Sequence, residues 1–254
     1  MGKFKLIKND INNENRCHTL DTIRGIALIS MIIYHTCFDI VYFFTEHSVP
    51  SGLYVIWQQT ICWTFIGVSG AALNYSKHPI RRSLIVLLAG YILTLGTYIF
   101  MREETIIFGV LQCIGYSMLI IGLLKKPLDK INPIVGFIIF FILFGFTKNI
   151  ADYRTLGFFS LKLINVPDAW YTINLYPLGL PKLGFTSGDY FPLVPWLFLM
   201  LACYYLWKLI IEKVNNKKVF NIKIPLITLL GENTLLIYII HQPIIYGILY
   251  LIYM

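Results

Sequence analysis

Charge is what this chain has least of. Asp, Glu, Lys and Arg together make up 13% of its 254 residues, against 57% hydrophobic and 16% aromatic residues. A soluble domain carries roughly a quarter of its residues as charges to clothe its surface, so a water-soluble fold is excluded. Disulfide-forming cysteine is scarce too. Cys17, Cys37, Cys62, Cys113 and Cys203 stand at unrelated spacings, four of them inside apolar runs, which leaves no disulfide framework. There is no CxxC or HExxH pattern, and the five histidines show no ligand spacing, so no metal is expected. No signal-peptide pattern precedes the first apolar run. The start is polar and Asn-rich (Asn9-Asp10-Ile11-Asn12-Asn13-Glu14-Asn15), and residues 1–19 are expected to form a cytoplasmic tail with the first run kept as an anchor.

Long apolar runs are what is abundant. Mean hydropathy is +0.69. Seven runs, at about 20–44, 53–75, 83–101, 105–124, 131–148, 191–211 and 225–252, are each long enough to cross a bilayer of about 30 Å with some tilt. The expected fold class is an all-α polytopic transmembrane helix bundle of about seven spans, a single domain over 20–254. The net charge of +8 is distributed as a topology signal rather than as a nucleic-acid surface. Lys3, Lys5, Lys8, Arg16 and Arg24 precede or open the first span, and Lys77, Arg81 and Arg82 follow the second. Lys125, Lys126 and Lys130 follow the fourth, and Lys208, Lys213, Lys217, Lys218 and Lys223 flank the connection between the sixth and seventh. All sixteen, of 21 Lys and Arg, fall on one side of a seven-span arrangement. Positive charge stays inside, which predicts a cytoplasmic N-terminus and an extracytoplasmic C-terminus.

The polar residues inside the spans carry the chemistry. At about 100° per residue, Arg24 and His35 lie about 20° apart on the first span, and Asp21 and Asp39 about 60° from Arg24. An ionisable stripe on an apolar helix faces a protein interior or a watered cavity. His35 and Asp39 have i,i+4 spacing, so the carboxylate could hold one imidazole nitrogen and leave the other as a base. Arg24, near the cytoplasmic surface, could pair with a phosphate through its fork of N–H donors. On the last span, Asn233 and His241 lie about 80° apart and could border one cavity, and Pro243 should bend the helix nearby. Gln112 is a further intramembrane polar group. The long connection of about 149–190, expected outside, holds Asp168, Trp170, Tyr171, Tyr176 and Asp189. Its aromatic content argues against disorder. Aromatic faces beside carboxylates suit a sugar ring, and they equally suit an interfacial belt of Trp and Tyr.

Four segments resemble one family in order along nearly the whole chain. Leu20-Asp21-Thr22-Ile23-Arg24-Gly25-Ile26-Ala27 resembles the opening of the heparan-α-glucosaminide N-acetyltransferase family, including its small bacterial members. Phe65-Ile66-Gly67-Val68-Ser69-Gly70 is similar to its second span. Val110-Leu111-Gln112-Cys113-Ile114-Gly115 is similar to its V-L-Q-R-L-G segment, with Cys113 in place of a basic residue. Gly231-Glu232-Asn233-Thr234-Leu235-Leu236-Ile237-Tyr238, followed by His241, resembles its C-terminal pattern. The Arg24-to-His35 separation also looks like the paired Arg and His of the wider transmembrane acyltransferase superfamily. The eukaryotic members are much longer, and their local sequence differs at His35-Thr36-Cys37-Phe38-Asp39.

The resemblance implies transfer of an acetyl group from cytoplasmic acetyl-CoA to an extracytoplasmic amine or hydroxyl, on a sugar. In that reading His35 and Asp39 are catalytic, with His35 either deprotonating the acceptor or taking the acetyl group itself. Arg24, Asp21 and Gln112 bind the donor, and Asn233, His241, Asp189 and Trp170 bind the acceptor. The expected partners are membrane lipids and a saccharide or glycan, with a homodimer left open and no nucleic acid. A proton-coupled transporter or channel using His35, Asp39, Gln112 and His241 is the alternative, although the chain shows no internal repeat of the kind many transporters have.

Overall fold

Proline and asparagine mark where several helices begin. In a computed structural model, which describes residues 16–44, 52–159 and 161–253, Pro79, Pro133 and Pro225 each open a helix at the first turn. A missing N–H costs nothing at that position. Asn132 adds a cap, its side chain accepting from the N–H groups of Ile134 and Val135. The main helices are α1 (His18–Asp39), α2 (Leu53–Ala72), α3 (Pro79–Phe100), α4 (Val110–Leu123), α5 (Pro133–Thr147), α6 (Leu193–Lys213), α7 (Pro225–Glu232) and α8 (Thr234–Tyr253). A π-helical turn, Ile40–Phe44, continues α1 directly after Asp39. The polar tail over residues 1–15 lies outside the described residues.

Five helical stretches are long and apolar enough to cross a membrane: His18–Tyr42, Pro79–Phe100, Pro133–Tyr153, Leu193–Lys213 and Thr234–Tyr253. The protein is therefore mostly helical and multi-pass. Their exteriors are apolar, as lipid contact requires. On α3, Leu84, Leu88, Tyr91, Leu95 and Ile99 are exposed along one stripe, whereas Ser83, Leu87, Ala89 and Gly90 are buried on the other side.

Three sequence expectations change. The run expected to span 105–124 is helical only over Val110–Leu123, about 21 Å at about 1.5 Å per residue. Its start is fixed at Gly109, whose N–H donates to Gln112 Oε1 at 2.7 Å, and at Val110, whose N–H donates to Asp189 Oδ2 at 3.0 Å. The run expected to span 225–252 is two helices, broken where Asn233 caps α7 and turns its side-chain amide back onto Leu229 O at 2.8 Å. Pro243, where a bend is expected, lies inside α8. The all-α expectation gives way to a β-hairpin, β1 (Thr155–Phe158) antiparallel to β2 (Leu161–Asn165), with a bulge between Leu156 and Gly157.

The chain divides into two compact units. One comprises Cys17–Val68 and Asn216–Met254. Here α1 and α7 touch backbone to backbone: a β-carbon on Gly231 would come within 1.7 Å of Asp21 O, and one on Gly25 within 2.0 Å of Ile227 O. Hydroxyls satisfy the polar groups at that contact. Thr22 Oγ1 donates to Ile222 O at 2.9 Å and lies 2.7 Å from Thr228 Oγ1, while Thr19 Oγ1 donates to Val219 O at 2.6 Å. Between α1 and α2, Trp57 Nε1 donates to Ser30 Oγ at 2.8 Å, and Tyr34 packs edge-on to Trp57.

Among the described residues the other unit comprises chiefly Ser69–Asn215. In it α3 packs on α4 and α5 on α6, with Phe140 stacked on Tyr205 at 5.7 Å. Near the start of α5, Asp129 gathers Lys125 at 3.2 Å, Lys208 at 3.7 Å and the Tyr204 hydroxyl. The long connection after α5 is folded. Ile150, Val166, Tyr171 and Leu180 form a small core, Tyr171 donates to Ile150 O at 2.6 Å, and Arg154 bridges Asp168 at 3.0 Å while lying over the Tyr171 ring.

Candidate active site

The stripe expected on α1 holds its geometry because α1 runs unbroken from His18 to Asp39. At its N-terminal end Arg24 pairs with Asp21 at 3.0 Å, one turn apart, and both side chains are largely buried. His18 Nδ1 lies 4.0 Å from Glu232 Oε1 on α7. Potential ligand atoms of His18, Asp21 and Glu232 lie within 4.8 Å of one another, with Asp21 already engaged by Arg24. Arg24 and His35 are separated by eleven residues, about 16 Å along the axis at about 1.5 Å per residue.

At the other end, α8 completes the site. The His35 ring faces that of His241, centroids 5.1 Å apart and planes tilted by 55°. His241 Nδ1 lies 2.7 Å from Tyr238 O. A carbonyl can only accept, so Nδ1 carries the proton and Nε2 of the neutral ring presents its lone pair. That Nε2 is buried and has no partner among the described residues. Asp39, 1% exposed, takes no proton donor from His35; both its oxygens accept from Gln242 Nε2, at 3.0 and 2.8 Å. Gln242 Oε1 is likewise buried without a partner among the described residues. Tyr34 and Tyr238 wall the pair, their rings 5.4 Å from His35 and His241 respectively.

Two buried acceptors thus stand side by side in sequence with no donor supplied to them. An unsatisfied buried acceptor costs about 1–3 kcal/mol, which an N–H or O–H group entering the site would recover. The chemistry of the place suits a ligand that brings such a hydrogen. A π-helical turn adjoining Asp39 fits this reading, since such turns occur often at functional sites.

Of the other expected site residues, Asn233 is exposed and bonded to Leu229 O. Gln112, Asp189 and Trp170 belong to the second unit. Gln112 bridges Gly109 N–H and the Thr94 hydroxyl, the latter at 2.7 Å. Asp189 caps α4 beside it; burial pushes its carboxyl up, and the Val110 N–H holds it partly down. Trp170 is exposed on a 3-10 turn, Asp168–Tyr171.

Gln242 and Tyr238 adjoin the histidine pair and Asp39, and the sequence reading gave neither a site role. Tyr238 lies one turn before His241, a spacing from which its carbonyl could have been found. Gln242 meets Asp39 across 203 residues, and no local pattern announces that.

The profile of the family described as heparan-alpha-glucosaminide N-acetyltransferase, catalytic, matches residues 16–243. No curated protein and no solved structure matches the chain. The match takes in both α1 and the His241 region of α8, the two elements that build the histidine pair. The chain belongs to the heparan-alpha-glucosaminide N-acetyltransferase catalytic family and is a membrane acetyltransferase.

Proposed function

We propose that the protein moves an acetyl group from cytoplasmic acetyl-CoA to an amine or hydroxyl, of an amino sugar first among candidates, on the other side of the membrane. The observation that carries this reading is the histidine pair: His241 is fixed in one tautomer by Tyr238, with a bare Nε2 beside His35 and the Asp39–Gln242 bond. His35 removes the proton of the attacking N–H or O–H as the new bond to the acetyl carbon forms and the carbon–sulfur bond of the donor breaks. The departing thiolate takes that proton back from the imidazolium, so charge and atoms balance. Asp39, held in place by Gln242, sits one turn from His35 at the edge of the site. His241 accepts a hydrogen bond from the incoming acceptor and orients it.

The sided arrangement follows from charge. Lysines and arginines at the N-terminal end of α1 and around the α6–α7 connection support a cytoplasmic position for these ends. In this reading α2 and α4 add two crossings to the five long helices, seven in all. Arg24 and Asp21 then meet the phosphorylated end of the donor, and the exposed indole of Trp170, in the other unit, is offered as a stacking face for a sugar.

Purified protein given labelled acetyl-CoA and glucosamine-containing saccharides, then hydroxyl acceptors, tests the reading. Wild type should transfer label. His35→Ala should reduce transfer by about 10²-fold or more, the worth of a general base, while still binding CoA. Absence of turnover with every acceptor, or a fully active His35→Ala, would sink the assignment.

A further inference from the structure

The β-hairpin after α5 is an unusual thing to find against a membrane-crossing helix. Its turn does not stand off from α5 but folds back along it. Phe159 packs on Phe141 and Phe144, and a β-carbon on Gly145 would come within 2.8 Å of the Phe158 ring. At about 1.5 Å per residue, Phe141 lies about 9 Å and Gly145 about 3 Å back from the end of α5 at Thr147. The turn's backbone is satisfied where it touches the helix: Phe159 N–H donates to Gly145 O at 3.2 Å, and Phe159 O accepts from the Asn149 side chain. Non-helical backbone is tolerated at membrane depth only when it is paired in this way.

The outer strand matches that depth. All five residues of β2 are exposed, and Leu161, Leu163 and Ile164 are more than half so. On α5, Ile138, Ile139 and Ile142 are exposed and apolar as well. Lys162, the charged residue of the strand, lies over the Tyr153 ring with Nζ 4.5 Å from its centroid. The two-stranded sheet leaves an open edge on each strand, which a hydrocarbon core does not accept. A strand of this kind would sit deep enough to bring Leu161 and Leu163 to acyl chains and shallow enough to keep its edges among headgroups.

We propose that the hairpin of β1 and β2 is a membrane-dipping element, seated in the headgroup–acyl boundary of the leaflet at the C-terminal end of α5, with Leu161, Leu163 and Ile164 against lipid. Such seating places apolar side chains about 5–10 Å into the boundary. It also tethers the folded stretch that follows at the bilayer surface, independently of what the protein catalyses.

The test places a tryptophan reporter on β2. Leu163→Trp in vesicles of phosphatidylcholine brominated at defined acyl carbons should show quenching beyond that of wild type. The excess should be greatest, about twofold or more, with bromine near the headgroup end of the chain and small with bromine near the methyl end. Aqueous iodide should quench the added emission weakly. Gly145→Leu, which displaces the Phe158 ring, should cut the shallow-bromine quenching when combined with Leu163→Trp. Emission quenched by iodide and not by bromine would place the strand in water and overturn the proposal. Emission shielded from both quenchers would mean that protein covers the strand, and would overturn it equally.

Discussion

His35 and Asp39 show how far one helix can be read from spacing. The turn angle that put Arg24 and His35 on one face depends only on helix geometry, so it survives folding. What Asp39 bonds to does not: two groups one turn apart compete with whatever a neighbouring helix brings, and here Gln242 delivers an amide to both carboxylate oxygens. Asp129 is a second carboxylate defined by its neighbours. Burial acts to raise its pKa, but the Tyr204 hydroxyl and the Lys125 and Lys208 ammonium groups outweigh it and hold the carboxyl below its ordinary value. A group depressed in the folded state stabilises the fold fully above its unfolded pKa of about 3.9 and loses that contribution as pH falls through the folded value. The difference in thermal midpoint between wild type and Asp129→Asn should therefore be constant from pH 8 to about pH 5. It should shrink below about pH 4. A difference that grows on acidification would contradict the cluster.

Each motif of the family resemblance contains a glycine, and the elements show why. Gly25 and Gly231 let α1 and α7 meet; a β-carbon on Gly70 would come within 2.2 Å of Met200 O, and one on Gly115 within 2.7 Å of the Leu87 side chain. These positions are helix-contact points rather than chemistry, a role that the motif alone could not assign because a partner helix is not written beside it. Gly231→Ala should lower stability by about 3 kcal/mol, since backbone rather than a flexible side chain must move. Gly96→Ala, on α3 with nothing within 4 Å, should be neutral or stabilising by up to about 1 kcal/mol. Thermal unfolding in detergent of the two variants side by side checks the contrast. Equal behaviour would mean that the α1–α7 contact does not bear on stability.

For the whole molecule, the membrane class was legible from composition, because no arrangement in water could hide so many apolar residues. Orientation is open to direct measurement. A reporter fused after Met254 should read as extracytoplasmic and one inserted at Asn215 as cytoplasmic. The inverse pair would reverse the orientation, and like readings at both positions would change the number of crossings. The sequence by itself determined the helical class, the positions of most apolar helices, the family and the stripe from Arg24 to His35, because hydropathy and a 3.6-residue period are local properties. Only the tertiary structure decided that α4 begins at Gly109, where Asp189 arrives from 79 residues away. It also decided that the last run breaks at Asn233, and that a hairpin folds back on α5. The pairing of His35 with His241 and of Asp39 with Gln242 belongs with these. Each joins groups distant along the chain, and which distant groups meet is settled by packing that no single segment encodes.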